Sequence, residues 1–193
     1  MPDQAIERLL EGNRRYAANK PTLDESERRR IEVAHKQEPF ACIFGCVDSR
    51  VPPELLFDQG LGDLFVIRTA GQVMGRTVLG SLEFGVAELH IPLIVVLGHE
   101  RCGAIKAAMD ILERQATAEA EIMYLVEALA PAVEAGKKAG GDVWDQAVRA
   151  QIALVVERLR YSPILERAVA EERLRIVGAW YNLETGLVEM TMD

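Results

Sequence analysis

The sequence predicts an α/β fold with a mainly parallel central sheet, and three observations carry that expectation. Five short apolar runs, each bounded by turn residues, alternate with longer stretches of helical periodicity. The stretches between the first four runs are long enough for crossover connections, so those strands lie parallel. The last two runs are joined by a short turn at Gly186, which makes the fifth strand an antiparallel edge. The expected architecture is four parallel strands plus one antiparallel edge strand, flanked by helices and led by an N-terminal helical arm over residues 1–37. A chain of 193 residues that is 49% hydrophobic fills one domain, 1–193, with its own core.

Ile6, Leu9, Leu10, Asn13 and Tyr16 recur at helical spacing, so the chain opens with an amphipathic helix stopped by Pro21. Ser26 to Gln37 reads as a second, very polar helix before Pro39. The apolar stripes of this arm are narrow, which suits docking on a neighbouring subunit and packing on its own domain equally. The runs Phe40–Gly45, Leu64–Thr69, Leu93–Leu97, Arg175–Tyr181 and Leu187–Met192 are the strands. Helical patterns fill Thr77–Leu89, Ala104–Glu113, Glu119–Ala135, Val143–Arg160 and Pro163–Glu171. Residues 136–141, GKKAGG, are expected as a loop between two of these helices.

Charge narrows the function. With 22 Lys+Arg against 30 Asp+Glu the formal net charge is −8, which argues against nucleic acid as a partner. The longest apolar runs fall far short of a membrane span, and the charged N-terminal stretch shows no secretory signal, so a cytoplasmic location is expected. Three cysteines are a poor disulfide framework and point to metal-binding or catalytic thiolates.

Two clusters carry the chemistry. Cys46-Val47-Asp48-Ser49-Arg50 follows the first strand, and Gly98-His99-Glu100-Arg101-Cys102-Gly103 follows the third. Open α/β sheets build their sites at the carboxyl ends of strands, so the clusters converge. Two thiolates and an imidazole suit zinc. His99 and Cys102, three apart at a helix start, are expected to share a face. Cys46 is the third ligand, and Asp48 is either a fourth ligand in a closed state or stands off the metal. Arg50 can grip the Asp48 carboxylate bidentately and so open the fourth position to water. Zinc would bring the pKa of that water towards ~7–9, which makes it a nucleophile near neutral pH. Cys42 lies four residues before Cys46 on the same strand, a span of about 13 Å, too far to share the ion. It is expected in the core. His90 is expected to cap a helix and His35 to be solvated.

On these clusters, and on EGNRRYAANKP, CVDSRVPPELLFDQGLGDLFVIRTAG, LIVVLGHERCGAI and IVGAWYNLETG, the chain resembles β-class carbonic anhydrases, particularly bacterial members of the actinobacterial type. The resemblance implies reversible hydration of carbon dioxide to bicarbonate and a proton, with one zinc ion per chain on Cys46, His99 and Cys102 and with Asp48 and Arg50 as a catalytic dyad. It implies homodimers, often assembled into tetramers, with pockets lined from two subunits. Gln37, nine residues before Cys46, stands where many open-form members have a glutamine, and its amide can donate to a substrate or bicarbonate oxygen. Gly103 joins it as a substrate-contacting candidate. Some relatives have a second, inhibitory bicarbonate pocket of Trp, Arg and Tyr. Arg68 and Tyr181 occupy two of those positions, but Ile43 replaces the tryptophan, so no inhibition of that kind is expected.

Two other functions compete. Carbon disulfide or carbonyl sulfide hydrolysis could run on the same zinc site. A non-catalytic, regulatory zinc protein would keep Asp48 permanently on the metal, and Arg50 would then have no use.

Overall fold

The five apolar runs form one sheet, with helices covering both of its faces. The protein is described here by a computed structural model covering residues 1–192, the side chain of Met192 excepted. Its strands are β1 (Ala41–Cys46), β2 (Leu64–Thr69), β3 (Leu93–His99), β4 (Arg175–Tyr181) and β5 (Val188–Met192). Its helices are α1 (Pro2–Ala17), α2 (Glu27–Val33), α3 (Pro53–Leu56), α4 (Arg76–Ala87), α5 (Gly103–Glu113), α6 (Glu121–Ala139), α7 (Val143–Arg160) and α8 (Pro163–Ala170), with a 3-10 turn at Ala70–Gln72.

The strand order is β2-β1-β3-β4-β5. The first four pair in parallel, and β5 runs antiparallel to β4. β1 and β3 are buried along their whole length, as parallel strands covered on both faces must be. Cys42, Phe44, Cys46, Ile94 and Val96 join the core under the later helices. Ala41, Ile43, Leu93, Val95 and Leu97 alternate with them and meet Ala5, Leu9, Leu56 and Phe57 on the opposite face. From β1 the chain steps out to β2 and then returns to β3 on the other side of β1. The strand order therefore reverses between β1 and β3, which opens a crevice at their carboxyl ends.

The leading helix packs on its own chain. Ala5, Leu9, Gly12 and Asn13 are its buried positions. At Gly12 an added Cβ would lie 1.8 Å from the Phe57 carbonyl oxygen, so only glycine allows this approach. Asn13 Nδ2 donates to the carbonyls of Leu56 (3.0 Å) and Gly186 (2.8 Å), and its Oδ1 accepts from Val188 N–H (2.8 Å).

Two expected boundaries are corrected. α2 ends at Val33 rather than near Gln37. Ser26 caps it, but it buries no residue, and a short helix without a packed face does not propagate. Residues 136–139 are helical rather than loop: Lys137 and Lys138 suit the negative end of α6, and Gly140 and Gly141, at φ 76° and 74°, stop it. Among the described residues, no helix is long and apolar enough to cross a membrane.

Candidate metal centre

Cys46 and His99 are the last residues of neighbouring strands, and Cys102 is the N-cap of α5. The expected helical i, i+3 relation between His99 and Cys102 is not how they meet. Glu100 and Arg101 form a turn, Arg101 taking a left-handed conformation at φ 52°, and this turn swings Cys102 back beside the strand end. Three buried ligand atoms, one each from Cys46, His99 and Cys102, lie within 4.8 Å of one another. The two sulfurs are 3.9 Å apart.

His99 is fully buried, and its two ring nitrogens are treated differently. Nδ1 lies 2.9 Å from the Glu100 carbonyl oxygen, a partner that places the proton on Nδ1. Nε2 is buried with no hydrogen-bond partner, so its lone pair is free to bind a metal. A buried nitrogen of this kind costs free energy unless something fills its valence. The orphaned imidazole atom and the two facing sulfurs are therefore a donor set that fits zinc.

The sulfurs are charged unevenly. The hydrogen bond from Cys102 lowers the Cys46 pKa to about 4, and Gly71 N–H and Asp48 N–H assist against the opposing effect of burial. Donating that bond, together with burial and the neighbouring negative charge, pushes the Cys102 thiol up. Cys42 behaves as expected of a core residue: it is buried, and burial alone raises its thiol.

Asp48 follows β1 at the rim of the site. Arg50 Nε and Nη2 donate to its two carboxylate oxygens at 2.9 and 2.8 Å, and Arg50 N–H adds a bond of 3.0 Å. These bonds from Arg50 hold the Asp48 pKa at about 2, despite burial. Asp48 Oδ2 is 3.9 Å from His99 Nε2, so the carboxylate borders the donor set while paired to the arginine.

Of the framework behind these residues, sequence reading finds only Gly71, a glycine that lets the backbone approach the pocket closely. Arg68 Nε and Nη2 donate to the carbonyls of Cys46 (2.7 Å) and Asp48 (2.6 Å), clamping the loop. Gly71 N–H donates to Cys46 Sγ at 3.4 Å from the turn after β2. Trp144 Nε1 donates to the Cys102 carbonyl at 2.9 Å. Ile43 and Tyr181 are buried, and the Tyr181 hydroxyl lies 3.4 Å from that of Tyr16. Gln37 is exposed in the segment before β1, and no described hydrogen bond joins it to the cluster. Gly103 is exposed at the first position of α5, where an added Cβ would meet nothing within 4 Å.

The chain has clear relatives. A carbonic anhydrase of Mycolicibacterium smegmatis is 41% identical over 98% of this chain and 93% of its own length. Carbonic anhydrase 2 of Mycobacterium tuberculosis is 43% identical over 96% of this chain and 90% of its own length. The solved β-carbonic anhydrase of Coccomyxa superposes with a TM-score of 0.73 at 30% identity, covering 84% of this chain and 76% of that one. Residues 41–188, from the start of β1 into β5 and including both clusters, match the carbonic anhydrase family. The chain therefore belongs to the β-class carbonic anhydrases, enzymes that interconvert carbon dioxide and bicarbonate.

Proposed function

We propose that Cys46, His99 and Cys102 hold one zinc ion and that Asp48 and Arg50 control what happens beside it. The observation that supports this best is the orphaned Nε2 of His99, buried within 4.8 Å of the two cysteine ligand atoms. When bound, zinc supplies Lewis acidity that makes a water nucleophilic near neutral pH. Asp48 stays ionised above about pH 2, because Arg50 donates to both carboxylate oxygens. It can therefore accept a hydrogen bond from the nucleophile and orient its lone pair. Arg50 keeps the carboxylate from completing the ligand set itself. Arg68 fixes the backbone on both sides of Val47, so the dyad is aimed from a rigid loop. Gln37 and the N–H of Gly103 are proposed as donors to a substrate oxygen. Gln37, exposed before β1, would donate into a pocket shared with a second copy.

A homo-oligomer is the assembly we favour, in line with pockets shared between subunits. β2 is an edge strand whose residues are all partly exposed, and its Leu64-Phe65-Val66-Ile67 run is apolar. Such an edge needs a cover, and a second copy provides one. Val66→Lys would then lower the mass measured by sedimentation. Three free thiols suit a reducing compartment such as the cytoplasm.

The deciding measurement is stopped-flow hydration of carbon dioxide by zinc-loaded protein at about pH 7 and about pH 9. Fast turnover that rises with pH is expected. No turnover at either pH, with zinc shown to be bound, would overturn the role given to Asp48 and Arg50.

A further inference from the structure

One helix stands behind all three proposed ligand positions. On α7, Trp144 holds the Cys102 carbonyl (2.9 Å). Val148 and Ile152 press on Gly98, the residue before His99, where an added Cβ would lie 3.1 Å from the first and 2.6 Å from the second. Gln151, on the same buried stripe, donates from Nε2 to the Gly71 carbonyl at 3.1 Å and, at 3.5 Å, to that of Gln72. The turn it grips does not stand easily alone. Gly71 and Gln72 are both left-handed, at φ 61° and 52°, and Gln72 is a residue type that rarely adopts that conformation. Gln72 Nε2 anchors the other side of the turn to the Leu97 carbonyl. Gly71 N–H then meets Cys46 Sγ at 3.4 Å.

We propose that Gln151 is a positioning residue of the metal centre: by holding the Gly71 carbonyl, it aims the Gly71 N–H at the Cys46 sulfur. This rests on Cys46 being a zinc ligand. A thiolate that accepts an N–H bond gives less electron density to its metal, so Gln151 tunes the ion through two hydrogen bonds and one peptide. Gln151 is only 5% exposed, and a role confined to packing would also make its loss destabilising. The two roles differ in what happens at sulfur.

Cobalt(II) put in place of zinc reports directly on the sulfur, through the thiolate-to-metal charge-transfer absorption in the near ultraviolet. Gln151→Met keeps the side chain's length but loses the donor. Val155→Ala removes buried methyls from the next turn of α7 and serves as the packing control. Gln151→Met is expected to move the band to lower energy and to weaken metal retention against a chelator by roughly 10-fold or more. Val155→Ala is expected to lower Tm and leave the band in place. If Gln151→Met does not fold, Gln151→Asn, with its amide drawn back by one methylene, is read in the same way. A band unmoved by the Gln151 variant, or moved equally by Val155→Ala, overturns the role of Gln151. Absence of any thiolate band in the unaltered protein would overturn the metal reading instead.

Discussion

Cys42 and Cys46 are four residues apart on one strand, face the same core and are both nearly inaccessible, yet they are chemically opposite. In the middle of β1, Cys42 is surrounded by apolar groups, and burial drives its thiol towards the neutral form. At the strand's carboxyl end, Cys46 is almost as well buried and is lowered to about 4. The difference lies in donors. Where β1 ends, the Cys102 thiol donates to sulfur, and backbone N–H groups of the following loop and of the Gly71 turn also point at it. Burial by itself makes a thiol inert, whereas burial with converging donors makes a ligand.

Substitution at the two positions tests that contrast most strongly. Cys46→Ala is expected to remove zinc and bring carbon dioxide hydration to background, and Cys102→Ala to do the same. Cys42→Ala should retain both metal and turnover and lose about 1 kcal/mol of stability. Equal zinc content in Cys46→Ala and the unaltered protein, read by atomic absorption, would break the comparison. Next in size is Asp48→Asn. It should keep its zinc yet lose turnover by about 100-fold or more, because the amide is a poorer acceptor and a poorer partner for Arg50. Near-normal stopped-flow rates from this variant would remove Asp48 from the mechanism.

Smaller effects sharpen the same point. Gly98→Ala would force a methyl group to within 2.6 Å of Ile152. Overpacking there should cost about 1–3 kcal/mol in denaturant unfolding and weaken zinc retention, since His99 is the next residue. Asp58 extends the rule from sulfur to oxygen. Its side chain is fully buried, and burial opposes its charge. The Arg15 guanidinium, the Thr22 hydroxyl and the N–H groups of Thr22 and Leu23 outweigh burial and lower its pKa. A carboxyl group with a folded pKa below its unfolded value, about 3.9, stabilises the fold above that value and loses the contribution as pH falls through the folded pKa. Urea midpoints should therefore drop below about pH 4, with a shallower drop in Asp58→Asn. Identical acid limbs would show that Asp58 adds nothing.

The sequence made the donor set readable because strand ends are local features. Cys46 and His99 each close an apolar run, and that is where a parallel sheet exposes its chemistry. The bounds of β2, α7 and β4 were equally plain, since their apolar periodicity is uninterrupted. The route from His99 to Cys102 was read as helical, when a left-handed Arg101 makes it a turn. Spacing alone does not tell these apart. Gly71 is legible as a glycine that lets the backbone approach the pocket closely, but its bond to sulfur, Trp144 and Gln151 left no signal. Their partners lie 42 residues away from Trp144 and 80 from Gln151, and a left-handed Gln72 is tolerated only because tertiary bonds hold it. The extension of α6 through Ala139 was missed for another reason. Gly140 and Gly141 draw attention to the whole segment as a loop, although only these two residues of GKKAGG break the helix.

The three bonds of Asn13 have a consequence for how the protein is made. Two of them tie the first helix to Gly186 and Val188, partners 173 and 175 residues further along the chain. A ribosome adding roughly 5–20 residues per second leaves on the order of ten seconds or more between the emergence of α1 and the arrival of those partners. Through that interval the apolar face of the helix has no finished dock, and Gly186 and Val188 must be made before α1 can be locked in place.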